Sequence, residues 1–95
     1  MADTFVNNEA ESRYELQLEG GTAIAAYQRS GDVVAFTHTE VPHSLRGKGF
    51  AGKLIERALA DVRRQGLKVR PQCPYVVDYV ARHPEVQDLV AGSSA

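Results

Sequence analysis

The sequence predicts an α+β domain built on an antiparallel sheet, and three observations carry that prediction. Between Arg13 and Val41, three runs with strand-like patterning are separated by short glycine-containing turns. From Gly49 the apolar period changes to that of a helix, with Ala51, Leu54, Ile55, Ala58 and Val62 on one face. A short stretch suited to a strand and a second helical stripe then close the chain. The expected order is β-β-β-α-β-α-α.

The elements follow in order. Residues 1–12 are polar and irregular and are expected to be loose. Arg13 to Leu18 alternates, with Tyr14, Leu16 and Leu18 on one face, as a half-buried strand does. Glu19-Gly20-Gly21 turns the chain, and Thr22 to Arg29 reads as the second strand. Ser30-Gly31-Asp32 is a second turn, and the β-branched run Val33 to Val41 is the third strand. Tight turns between them imply a three-strand antiparallel meander. Pro42 to Lys48 is a loop, and the helix that follows ends at Gly66. Leu67 to Gln72 is a fourth strand, with Pro71 marking an edge or bend. Pro74 suits the first turn of a helix carrying Tyr75, Val76, Tyr79 and Val80. Pro84 opens a short last helix near Val90, and residues 92–95 are an expected loose tail.

The chain has 95 residues, which reads as a single domain over 1–95. Its 11 Lys and Arg against 12 Asp and Glu give a net charge of −1, which argues against a protein that coats nucleic-acid phosphates. No apolar run is long enough to span a membrane, so no membrane partner is expected. No secretory signal is visible. The one cysteine, Cys73, can form neither an internal disulfide nor a cysteine-built zinc site, and no spacing predicts a metal centre. A reducing, cytoplasmic setting is expected.

The most informative stretch is Val41-Pro42-His43-Ser44-Leu45-Arg46-Gly47-Lys48-Gly49-Phe50-Ala51-Gly52, where a strand ends and a helix begins. A helix N-terminus offers unpaired amide hydrogens and partial positive charge, and glycines let a phosphate approach them. Arg46 and Lys48 add full charge at the rim. The loop is neither a Walker loop nor a dinucleotide-binding turn, because neither glycine spacing is met in its proper context.

This loop resembles the acetyl-CoA loop, R/Q-x-x-G-x-G/A, of the GNAT N-acetyltransferase superfamily. Together with Thr39-Glu40-Val41-Pro42, Pro71-Gln72-Cys73-Pro74-Tyr75-Val76, Tyr79 and Arg82-His83-Pro84-Glu85, it is similar to the small single-domain branch of that superfamily over about residues 10–91. The resemblance implies a minimal GNAT-like fold and acetyl-CoA as cosubstrate. It implies a pantetheine arm along Glu40 and Val41, and a diphosphate on the amides of residues 46–51. The acetyl group is then expected where the third and fourth strands part. Arg82 is expected to touch the phosphates, and Gly52 to lie beside them. Longer members carry two helices between their first strands; here tight turns replace them, so the acceptor groove is expected to be shallow and open.

Acetyl transfer to an amine requires a group that takes the amine proton and one that stabilises the departing thiolate. His38 and Glu40 are two apart on one strand and share a sheet face, so either can serve as base. Cys73, before Pro74 at a helix start, is expected to have a lowered pKa. If its strand neighbours that of His38, the two would share a cleft, and Cys73 would either carry the acetyl group in a two-step route or line the pocket. The resemblance implies Tyr79 as proton donor to the thiolate. The expected function is acetyl-CoA-dependent N-acetyl transfer through a ternary complex, to an amine that includes protein or peptide amines. The competing expectation is a coenzyme A or acyl-CoA binding module without turnover. Oligomeric state is open between a monomer and a weak dimer paired through a sheet edge.

Overall fold

The computed structural model describes residues 4–92. Five strands form one sheet in chain order: β1 Thr4–Asn8, β2 Arg13–Leu18, β3 Gly21–Ser30, β4 Val33–Glu40 and β5 Lys68–Pro71. The first four pair antiparallel, and β5 pairs parallel to β4 through the right-length crossover that α1 (Phe50–Arg64) provides. Helix α2 (Pro74–Arg82) follows, and two 3₁₀ turns sit at His43–Leu45 and Pro84–Leu89. The sequence-predicted meander, helix, strand and second helix are all present, and the last expected helix is the 3₁₀ turn.

The expectation of a loose segment over 1–12 needs correction. Thr4–Asn8 is a strand in register with β2, from Thr4 opposite Gln17 to Asn8 opposite Arg13. Contacts distant in sequence stabilise it: Phe5 stacks on Tyr14, the Tyr27 hydroxyl donates to Asn7 at 2.7 Å, and Asn8 donates to Glu15 at 2.9 Å. The rest of the two expected loose ends, residues 1–3 and 93–95, lies outside the described residues.

Both helices pack on one sheet face. Tyr14, Leu16, Ala23, Ala25, Tyr27, Val34 and Phe36 point into that layer and meet Leu54, Ile55, Ala58, Leu59 and Val62 of α1 and Val76 and Val80 of α2. Each large side chain so buried contributes about 1.5–3 kcal/mol. Helix α1 stops at a Schellman cap: Leu67 N–H donates to the Val62 carbonyl and Gly66 N–H to that of Arg63.

A bulge in β4 decides which residues reach the core face. Tyr27 lies opposite Phe36, but Ala26 lies opposite His38, so Thr37 is the extra residue. Simple alternation from Val34 and Phe36 would turn His38 and Glu40 into the core. The bulge turns Thr39 inward instead and sends His38 and Glu40 to the face opposite the helices.

Asp61 ties α1 to the sheet. Its carboxylate accepts from the Tyr14 hydroxyl at 2.8 Å, from Gln65 at 2.6 Å and from Arg64. Burial pushes the carboxyl up, but the three hydrogen bonds outweigh it and hold the pKa below the aspartate value. Glu15 is likewise held low, by its hydrogen bonds from Asn8 and Arg13. A carboxyl with a depressed folded pKa contributes stability above its ordinary value and loses it as pH falls through the folded pKa. Stability is therefore expected to fall progressively below the ordinary values of 4.5 for Glu15 and 3.8 for Asp61. Asp61→Asn should flatten this acid limb in urea unfolding followed from neutral to acid pH; an unchanged pH slope would count against the role of Asp61.

Candidate active site

The site forms where β4 and β5 part. Their pairing ends at Phe36 opposite Pro71, and the Phe36 carbonyl then accepts from both Gln72 N–H at 3.0 Å and Cys73 N–H at 2.8 Å. Beyond this point β4 continues to Glu40 while the other chain turns into α2, leaving a cleft between them.

The loop from Val41 to Gly52 closes one side of the cleft. Leu45 N–H donates to the Pro42 carbonyl and Arg46 N–H to that of His43, which fixes the 3₁₀ turn. Gly49 caps α1 in the left-handed conformation, φ 82° and ψ 9°, without a side-chain cap. Among the described residues, the amides of Gly47 to Gly52 have no protein acceptor; the first helical bond runs from Lys53 N–H to the Gly49 carbonyl. The sequence expectation of an amide cradle over 46–51 is therefore displaced by one residue, because the 3₁₀ turn consumes the Arg46 amide. A Cβ added at Gly47 or Gly49 would meet no protein atom within 4 Å, so the space beside both is open. Together with the dipole of α1 and the charges of Arg46 and Lys48, these amides can hold a diphosphate.

Three cavities border one another around Tyr75. The first, of about 230 Å³, is lined by the loop from Leu45 to Gly52 and by Val41. A second, of about 310 Å³, holds His38, Thr39, Glu40, Val41, Arg46 and Ala51. The third, of about 550 Å³, runs between α1 and α2 past Gly52, Lys53, Glu56, Tyr79, Arg82 and His83. Tyr75 lines all three.

The sequence-predicted residues separate within this groove. His38 Nε2 and Glu40 Oε1 lie 3.7 Å apart with side chains 62% and 60% exposed, so both meet solvent and the second cavity. Cys73 is buried and lines none of these three cavities; its thiol donates to the Thr39 hydroxyl at 3.3 Å. The expected His38–Cys73 pairing is not formed, because the bulge gives the inward position to Thr39. Burial pushes the Cys73 thiol up, but Thr39 and the backbone of Val76 and Tyr75 at the start of α2 together draw its pKa below the ordinary value. Tyr79 lies in the outer cavity, stacked on His83 with ring centres 3.8 Å apart. Burial, then Glu56 and Glu85, raise its pKa. Arg82 lines the same cavity, with its guanidinium 3.1 Å from Asp78. Arg46 donates its Nε–H to the Val41 carbonyl at 3.1 Å.

Sequence reasoning missed Tyr75, which it assigned to an apolar stripe. It is 40% exposed, and burial followed by the charge of Asp78 raises its pKa, so its hydroxyl stays protonated at neutral pH. Its position directly after Pro74, in the first turn of α2, carries no signal of its own. Among the described residues, no group of three or more His, Cys, Asp or Glu side chains is placed to hold a metal ion.

The fold and groove define the class. Residues 13–89 match the family model described as GCN5-related N-acetyl-transferase, and the chain belongs to that family. Among curated proteins it is similar to Protein NATD1 of mouse, 35% identical over 80 residues that cover 81% of this chain and 73% of the mouse protein. Human Protein NATD1 is 38% identical over 68 residues, 70% of this chain and 60% of that protein. The fold matches the NMR solution structure of a GCN5-like protein from Staphylococcus aureus with a TM-score of 0.72 and 19% identity, over 96% of this chain and 90% of that one.

Proposed function

We propose that the protein binds acetyl-CoA in this groove and transfers the acetyl group to an amine. One arrangement supports the reading above all: the acceptor-free amides of Gly47 to Gly52 border a cavity that shares Val41, Arg46, Ala51 and Tyr75 with the His38–Glu40 cavity. A diphosphate suits those amides, because the space a Cβ would fill at Gly47 and Gly49 is vacant of protein. Phe50 and Ala51 supply first-turn amides, and Lys48 adds charge. Arg46 adds its charge and its Nη–H donors while its Nε–H stays on the Val41 carbonyl. Val41 borders the inner end of the groove and Arg82 the outer end.

The thioester supplies an activated acyl carbon. Glu40 or His38 takes the proton of the attacking amine, and main-chain amides near Val41 polarise the carbonyl oxygen. As the new C–N bond forms, the C–S bond breaks, and the Tyr75 hydroxyl gives its proton to the leaving sulfur. Tyr75 takes the role expected of Tyr79, since it shares a cavity with His38 and Glu40. Transfer is direct, because Cys73 faces Thr39 rather than the cavity. A reducing, cytoplasmic setting belongs to the same proposal, in keeping with the free, buried Cys73.

The test is release of free thiol from acetyl-CoA across a panel of primary amines. Amine-dependent release is expected, and Cys73→Ala should retain it within about threefold. Tight coenzyme binding without release on any amine would replace this reading with a binding module, and loss of all release in Cys73→Ala with intact binding would replace direct transfer with an acyl-enzyme route.

A further inference from the structure

Resting on the reading that the Gly47–Gly52 amides hold the coenzyme diphosphate, we propose that the turn between β2 and β3 braces that loop, with Gly21 as a positioning residue: its bare α-carbon seats Pro42 and Leu45 and so sets where the amides stand. The register brings the two segments together. Antiparallel pairing of β3 with β4 reaches Ile24 opposite Glu40; beyond that pair β3 runs back to Gly21 and the turn, while the chain leaving β4 becomes Val41-Pro42. A Cβ added at Gly21 would lie 2.7 Å from Pro42 Cγ, 3.2 Å from Pro42 Cβ and 3.8 Å from Leu45 Cδ1. One at Gly20 would lie 3.7 Å from Leu45 Cδ2. Carbon atoms in contact rest about 3.5–4.0 Å apart, so position 21 admits no side chain while the loop stays in place. Among the chain's eight glycines, Gly21 alone would bring a Cβ within 3.0 Å of another residue.

The contact reaches the site through the start of the loop. Pro42 yields little, because its ring fixes φ, here −51°. Its carbonyl accepts from Leu45 N–H at 2.8 Å, and that of His43 from Arg46 N–H at 3.2 Å, so the 3₁₀ turn moves with it. Leu45 faces the β2–β3 turn on one side and on the other lines the cavity of about 230 Å³, with Gly47, Gly49 and Gly52. Gly21 itself lines none of the three cavities around Tyr75. A side chain at position 21 therefore reaches the coenzyme only by displacing Pro42 and Leu45. Gly21 also sits at φ 156°, which strains any side chain, so strain and contact have to be separated.

Calorimetric titration with coenzyme A and acetyl-CoA kinetics provide the test. Gly21→Ala is expected to weaken coenzyme affinity about tenfold and to raise KM for acetyl-CoA to match, with kcat within about threefold, because the groups around the acyl carbon keep their places. Gly31→Ala should leave all three unchanged. Pro42→Ala removes Cγ, the atom 2.7 Å away, and leaves the dihedral strain at position 21 untouched. In that background Gly21→Ala should therefore cost under about threefold. Equal cost in both backgrounds, or wild-type affinity in Gly21→Ala alone, would overturn the brace. Should Gly21→Ala fail to fold, Pro42→Ala alone decides: affinity several-fold weaker supports the brace, and unchanged affinity overturns it. Should the wild-type protein bind no coenzyme, the function reading fails instead. Amides of Gly47 to Gly52 shifted by Gly21→Ala, but not by Gly31→Ala, then still uphold the brace, and unshifted amides overturn it.

Discussion

Gly49→Val is expected to weaken coenzyme A binding at least a hundredfold, about 3 kcal/mol. The residue sits at φ 82°, a conformation that a β-branched side chain adopts only under strain. A Cβ there would meet no protein atom within 4 Å and would project into the space beside the Gly47–Gly52 amides, where the proposed coenzyme diphosphate sits. Gly31 provides the control. It lies in the turn between β3 and β4, far from the cleft, at φ 59°, and its Cβ would also meet nothing within 4 Å. Gly31→Val therefore imposes comparable backbone strain, on the order of 1–3 kcal/mol, without touching the groove. Calorimetric titration should show lost affinity for the first variant and wild-type affinity for the second. Equal affinities in both would remove the amide cradle, since a substitution in the groove would then act no differently from one remote from it.

Phe36→Ala is expected to cost about 3–5 kcal/mol of stability. Phe36 is fully buried, with Tyr14 stacked at 6.0 Å and Tyr27 edge-on at 6.2 Å between ring centres. It sits at the end of the β4–β5 pairing, so the cavity left by its removal lies directly under the cleft. Against a typical domain stability of about 5–15 kcal/mol, that loss lowers the melting temperature by about 15–30 °C. Phe36→Leu, which keeps most of the volume, should cost under about 1.5 kcal/mol. Urea unfolding checks both: the midpoint should shift with little change in slope, and a loss below about 1 kcal/mol for Phe36→Ala would contradict the packing described.

Most of the fold was legible because local chemistry and tertiary packing agree. The alternation of Tyr14, Leu16 and Leu18, the helical spacing of Leu54, Ile55, Ala58 and Val62, and Gly66 after the last turn each point to the element observed. β1 was illegible because its two asparagines disfavour a strand locally, and the groups that satisfy them, Tyr27 and Glu15, lie outside the segment. The loop of the candidate site was readable from its glycines and basic residues. Its chemistry was less so. Val33 to Glu40 reads in sequence as one unbroken strand, and nothing there announces that Thr37 is an extra residue. Yet that one residue separates His38 from Cys73 and turns the candidate bases toward open surface. Tyr75 and Tyr79 are equivalent as members of a helical stripe, and only the placement of α2 against α1 distinguishes the tyrosine beside Glu40 from the one beside His83.

The most direct measurement is a proton–nitrogen correlation spectrum of the protein titrated with coenzyme A. The largest shifts should fall on the amides of Gly47 to Gly52, with the Gly31 amide unmoved. Binding that leaves the Gly47–Gly52 amides unshifted, or saturation with shifts confined to the outer groove around Tyr79 and His83, would contradict a diphosphate held at the start of α1.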